Sequence, residues 1–397
     1  MTNEELINIV ASGEDSKTQF KLKFDNIDKL SAEIAAMANS EGGTILVGIS
    51  DDGEIVGVED LPKLNQWISN AASQKIIPPI QVTTDNVIYE NKLVVCIKIP
   101  LGTNKPYAVN QTDFWVKVGA DKRRATREEL QRLMQAAAIL HADEKVIQGT
   151  SLKDLDLMLF RDFYFEEYED ELPENPNELA TILSNLKLLK DGQTTLAGLL
   201  LFGKKPELIL PQFVIKAVCF VGEDESENSF IDKTTIGGVL SAQFQNAMAF
   251  FKRNLKYVQR NATSFNVAGE LEIPSRALEE TVTNALLHRD YLIQSSIRIF
   301  IFRNRVAIMS PGILPNTVTI ENIKQGIQVA RNPILLSFAA KLSRYKFEEL
   351  GLKIPYSGIG TGIKRILKEC NNAEIAPPEF VEDRTTGQFK VIFDRIR

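Results

Sequence analysis

The sequence predicts an α+β fold spread over more than one domain, and three observations carry that expectation. Apolar residues at helical spacing and apolar residues in strict alternation interleave through the first 140 residues. The same two periods return, in longer helices and a clean hairpin, beyond residue 193. A chain of 397 residues also exceeds what one hydrophobic core usually organises. The expected division is 1–140, a helical connector over 141–192, and a C-terminal domain over 193–397.

In chain order, Ile27, Leu30, Ile34, Met37 and Ala38 share one helical face, and Gly42–Gly43 ends it. TILVGISDDGEIVGV then reads as a hairpin about Asp52–Gly53, a dipeptide that readily takes positive φ. A helix near 60–74 precedes a second hairpin that turns at Glu90–Asn91–Lys92, and DFWVKVG supplies one more strand. Thr126 and Glu129 form a capping box that opens a helix at 127–140. The acidic, aromatic run RDFYFEEYEDELPENPNE reads as a solvated face broken by Pro173 and Pro176. TTLAGLLLFG is a short buried helix, QFVIKAVCFVG a strand, and DKTTIGG a turn into a long helix at 238–259. Pro274 opens a helix to about residue 288, and SIRIFIFRNRVAIMS is a hairpin about Arg303–Asn304–Arg305.

Composition excludes several classes of function. No apolar run is long enough to span a bilayer, so no membrane partner is expected, and the acidic start lacks the features of a signal peptide. Cytoplasmic localisation is the resulting expectation. Cys96, Cys219 and Cys370 lie far apart, and with only His141 and His288 beside them they make no zinc knuckle. A net charge of −6 argues against coating nucleic acid by bulk charge. Residues 1–140 hold 15 Lys and Arg against 19 Asp and Glu, a balance of −4. A local basic patch around DKRRATR at 121–127 is the exception.

The C-terminal third contains the most specific constellation. Glu280, Asn284 and His288 recur every fourth residue, a polar stripe that drifts about 40° per step round the helix. Ser310–Pro311–Gly312 follows a strand, and Arg331–Asn332–Pro333 follows that. SGIGTGIKRI at 357–366 is a glycine-rich loop running into a helix. Its successive N–H groups can cradle an anion, and Lys364 adds charge.

These motifs resemble the N, G1 and G2 boxes of the GHKL fold, in its histidine-kinase-like ATPase branch. The resemblance implies an α/β sandwich that binds ATP and Mg²⁺. Asn284 would hold the magnesium, Glu280 would orient water as a general base, and the 358–362 loop would close over the phosphates. His288, Ser310, Gly312, Arg331, Gly358, Gly360, Thr361, Gly362 and Lys364 complete the expected nucleotide site. Ser310 departs from the pattern, which places an Asp against the adenine amine; a hydroxyl accepts that bond without charge assistance.

The N-terminal motifs EDSKTQFKLKF and AAMANSEGGTILVGISDDGEIVGVED resemble the Schlafen AlbA-like domain. The pairing of the two domains resembles a bacterial group of transcriptional regulators, which implies a homo-oligomer that binds DNA or RNA. Lys21, Lys23, Lys122, Arg123 and Arg124 are the expected phosphate contacts, with Phe114 or Trp115 stacking on a base. Nuclease members of the Schlafen family gather three carboxylates about a metal. Here Glu14 matches and the third position falls at Ser50 or Asp51, but Gln19 stands at the second, and a neutral amide neither binds a hard cation strongly nor acts as a base. A metal-dependent (t)RNA endonuclease of the Schlafen kind, acting in phage defence, and a catalytically degenerate assembly scaffold are the alternative readings.

Overall fold

The computed structural model describes all residues except 137–140, 226–228, 260–268, 316–317, 328 and 396–397. It divides into two compact units, Met1–Leu140 and His141–Arg397. The last four residues of the helix expected at 127–140 lie outside the described residues.

In the first unit, Thr18–Lys21 runs parallel to Gly43–Val47, and Lys92–Ile99 and Thr83–Tyr89 continue the sheet antiparallel. The crossover helix Ile27–Asn39 is buried from Leu30 onward, including Ser31 and Glu33, because it lies between this sheet and a second. That second sheet is Ile76–Ile77, Ala108–Val109, Asp113–Val118 and Asp121–Arg124. Asn39 ties the helix end to it: the side-chain amide donates to Tyr107 O (2.8 Å) and Trp115 O (2.9 Å), and Oδ1 accepts from Tyr107 N (2.7 Å). The hairpin about Glu90–Asn91 forms as predicted, both residues taking positive φ. The hairpin expected about Asp52–Gly53 is reduced to a turn with one bridge, Ile49 to Ile55, because Gly43–Val47 spends its edges on the two flanking strands.

The second unit is built on a six-stranded sheet in the order Phe230–Ile236, Ile215–Phe220, Ile297–Ile301, Arg305–Pro311, Gln388–Asp394, Glu379–Asp383. Only the pair Ile215–Phe220 and Ile297–Ile301 is parallel. Alternation sorts its faces: Ile297, Ile299 and Ile301 join the core under the helices, and Phe300 and Phe302 join Val218, Ala307 and Met309 on the other side. DKTTIGG, expected as a turn, is the edge strand Phe230–Ile236, and the turn is confined to Gly237–Gly238. Its polar residues suit an edge, where one side meets water. Residues 141–192, the expected helical connector, pack into the second unit. Phe160 and Phe163 pack with Phe202, Phe338 and Phe347 in the same core as the sheet.

Candidate functional site

The polar stripe lies on the helix Ser275–Leu287, which packs one side on the sheet and is crossed on another by the helix Gly362–Asn372. Its end is held by one group close in sequence and one far away. Tyr291 Oη donates to Leu286 O (2.9 Å), and Asn332 Nδ2 donates to Leu287 O and Arg289 O (both 2.9 Å). These bonds satisfy carbonyls that a helix end leaves without partners. Arg331 Nη2 donates to Ile313 O (2.7 Å), bracing the Ser310–Gly312 turn. Gly312 has φ 107°, and a Cβ there would lie 2.6 Å from both Arg331 Nη1 and Asp290 Cβ. Only glycine fits that turn.

Between stripe, turn and glycine loop lies an open pocket enclosing about 990 Å³, counting the solvent at its mouth. Seven of the predicted nucleotide residues line it: Asn284, His288, Ser310, Gly312, Arg331, Gly360 and Gly362. Its walls are otherwise apolar, with Ile308, Val318, Ile323, Ile327 and Val391 prominent. Such a lining with few polar groups is typical of small-molecule sites. Ser310 Oγ donates to Ala285 O (3.1 Å), which fixes the hydroxyl and leaves its lone pairs as acceptors. Burial, followed by the neighbouring Arg331 charge, pushes the His288 imidazole down to about 4, so it is neutral at pH 7.

Four predicted residues, Glu280, Gly358, Thr361 and Lys364, are outside the pocket lining. Thr361 Oγ1 meets Ser357 Oγ (3.1 Å) within the loop, and Lys364 is exposed. Glu280 is 3% exposed and accepts from Arg365 Nη1 at 2.9 Å. Burial raises its pKa, and the Arg365 charge opposes that rise. Sequence reading missed Arg365, although it stands next to Lys364 on the same loop helix. It named Asn332 only as part of the Arg331–Asn332–Pro333 motif, without a role, and missed Asp143. Asp143 Oδ2 accepts from Ile334 N (2.7 Å) and Leu335 N (3.1 Å), capping the helix Pro333–Leu342 from another part of the chain.

The first unit treats its charges differently. Glu14 Oε1 accepts from Gln19 Nε2 and from Phe20 N (2.6 Å), and Lys117 Nζ donates to Gln19 Oε1 (2.6 Å) and Ala120 O. Lys117 is 9% exposed, and desolvation lowers its pKa. Asp51 is exposed and lies 4.0 Å from Lys21. Among the described residues no three His, Cys, Asp or Glu side chains gather as a metal site. In the basic patch, Lys122 pairs with buried Glu33, Arg123 with Glu129 through two 2.8 Å bonds, and Arg124 with Asp113 at 2.8 Å. Lys23 is exposed. Trp115 packs against the core with Arg124 over its ring at 5.8 Å, and Phe114 is half-buried. No helix among the described residues is long and apolar enough to cross a membrane.

Comparison with known families matches three segments. Residues 14–126 match the family described as "Schlafen, AlbA_2", and residues 294–393 match "Putative ATP-dependent DNA helicase recG C-terminal". Residues 131–216 match a family described only as a domain of unknown function. No curated protein matches the chain. Among solved structures, the DIP2311 protein of Corynebacterium diphtheriae is 22% identical with a TM-score of 0.44, over 99% of this chain and 70% of that one. The N-terminal domain of a RecG-related helicase protein from Nitrosomonas europaea is 17% identical with a TM-score of 0.24, over 32% of this chain and 94% of that one. The chain thus carries a Schlafen AlbA_2 domain toward its N-terminal end and a RecG-like C-terminal domain over residues 294–393.

Proposed function

We propose that the second unit binds ATP with Mg²⁺ in the pocket beneath the glycine loop, and that the protein is a nucleic-acid-binding, homo-oligomeric regulator whose GHKL-like unit adjusts assembly or nucleic-acid affinity. The observation that carries this reading is the pocket itself. It unites seven residues drawn from four motifs spread between residues 284 and 362. The adenine would lie against the apolar wall, with Ser310 accepting from its exocyclic amine and neutral His288 nearby.

Asn284 fits the magnesium role by its chemistry. It lines the pocket and offers one neutral oxygen, which suits an ion that takes most of its ligands from phosphate and water. When bound, the ion would neutralise phosphate charge. Glu280 can serve as a base toward water only after leaving Arg365.

Nucleic-acid binding by the first unit is supported by the Schlafen family match. Lys23 is exposed, and the pairs of Arg123 and Arg124 lie at the surface. Exposed pairs are worth only about 0–1 kcal/mol, so a phosphate could displace their carboxylates cheaply.

The test is thermal unfolding of wild type and Asn284→Ala with MgATP. Wild type should gain about 2.7 kcal/mol at a hundred times the dissociation constant, and the variant should not. An unmoved wild-type transition at millimolar nucleotide would remove the reading. Coupling predicts that MgATP changes oligomeric state or nucleic-acid affinity at fixed salt, since a ligand shifts an equilibrium only through differential affinity.

A further inference from the structure

We propose that the Glu280–Arg365 ion pair is a latch that holds the glycine loop down on the polar stripe, and that Arg365 exchanges this carboxylate for a phosphate of the incoming nucleotide. The exchange rests on the nucleotide reading above; the latch does not.

Three contacts point to a closed loop. Arg365 Nη1 reaches Glu280 Oε2 at 2.9 Å, one helix to the other. At Gly362 a Cβ would stand 2.1 Å from Glu280 Oε1 and 3.3 Å from Asn284 Nδ2, so the loop backbone already rests on the two stripe residues. At Gly360 a Cβ would stand 2.2 Å from Gly326 O, so the loop also meets the C-cap of the helix Ile320–Gln325, backbone to backbone. A triphosphate seated against Asn284 would press on the loop that rests there, and lifting that loop parts Arg365 from Glu280.

The charges make that parting a switch. Glu280 is 3% exposed, whereas the Arg365 side chain is 38% exposed. The carboxylate therefore depends on the guanidinium more than the reverse. An arginine released from its carboxylate can re-form two charge-assisted bonds to a phosphate, for which its planar fork is suited. The carboxylate that occupies Arg365 here stands in for the phosphate oxygens it would later hold. Lys364, exposed and one residue earlier, is placed to follow the same ligand.

Hydrogen exchange on the full chain, read at 357–366 without nucleotide, tests the latch. Arg365→Gln and Glu280→Gln should each speed exchange about tenfold, the scale of one charged hydrogen bond. Gly362→Ala, which alters no charge, should do the same through its Cβ. Unchanged exchange at 297–311 verifies that each variant is folded. Wild-type rates in both Arg365→Gln and Gly362→Ala would overturn the latch. Titration with MgATP tests the exchange: Arg365→Gln should bind about tenfold more weakly although its loop is open. Affinity equal to or above wild type would overturn the phosphate role. Wild type that binds no nucleotide would end the exchange and the nucleotide reading together, and the exchange rates would still decide the latch.

Discussion

Two polar clusters, one in each unit, put their side chains to opposite ends. In the first, Glu14, Gln19 and Lys117 close on one another, and Glu33 closes on Lys122. The Lys117 ammonium is taken up by Gln19 and the Ala120 carbonyl, so this cluster is satisfied within itself. In the second, Asn284, His288 and Ser310 face an apolar-walled space. Polar residues that satisfy each other stabilise a fold, whereas polar residues aimed at a space cost stability and leave bonding capacity for a ligand. By that criterion the second unit is the place for small-molecule chemistry.

Stability measurements sharpen this contrast. The largest effect is expected for Asp143→Ala, which strips the acceptor from two helix N–H groups at about 1–3 kcal/mol each; urea unfolding reads it. Lys117→Met should cost about 1–3 kcal/mol by the same measurement, since Gln19 Oε1 and Ala120 O lose their donor. Asn284→Ala, on the wall of the open pocket, should cost well under either. Equal losses for Lys117→Met and Asn284→Ala would break the comparison.

Acid titration gives a further test, with two signs. His288 is held down to about 4 from 6.5, so the unfolded chain binds more protons in that window and stability falls as pH drops through it. Asp143 is pushed up to about 6 from 3.8 by burial, so the folded chain binds the extra proton and that contribution is lost as pH rises through the same range. The two nearly cancel between pH 4 and 6. Asp143→Asn removes one of them, and its stability should fall by roughly 1–3 kcal/mol from pH 6.5 to 4 while wild type stays flatter. A flat profile in the variant would contradict the histidine's placement. The smallest effect is expected for Arg123→Ala, about 0.2–1 kcal/mol, because its pair with Glu129 is exposed.

The helix, hairpin and glycine-loop periods were legible because each is a local pattern. The capping box at Thr126 and Glu129 forms with bonds of 3.3 and 2.8 Å between residues three apart. The reading erred where the outcome depended on distant neighbours. The turn about Asp52–Gly53 has hairpin chemistry but little strand beside it, because Gly43–Val47 already has partners on both edges. The DKTTIGG stretch has turn composition, and only its place at the sheet edge makes it a strand. Spacing placed Glu280 on the polar stripe but could not show its burial, since Arg365 on the loop helix that covers it lies 85 residues on.

By itself the sequence determined the α+β class, the ordering of its principal elements and the chemical types available at residues 280–288, 310–312 and 358–362. Those depend on spacing and on backbone preferences of a few adjacent residues. Tertiary structure alone decided which charges are spent. Lys117, Lys122 and Arg365 each meet a partner at least 85 residues away. Whether an ionised group is free or neutralised is set by what lies within a few ångströms of it, and chain order does not encode that distance.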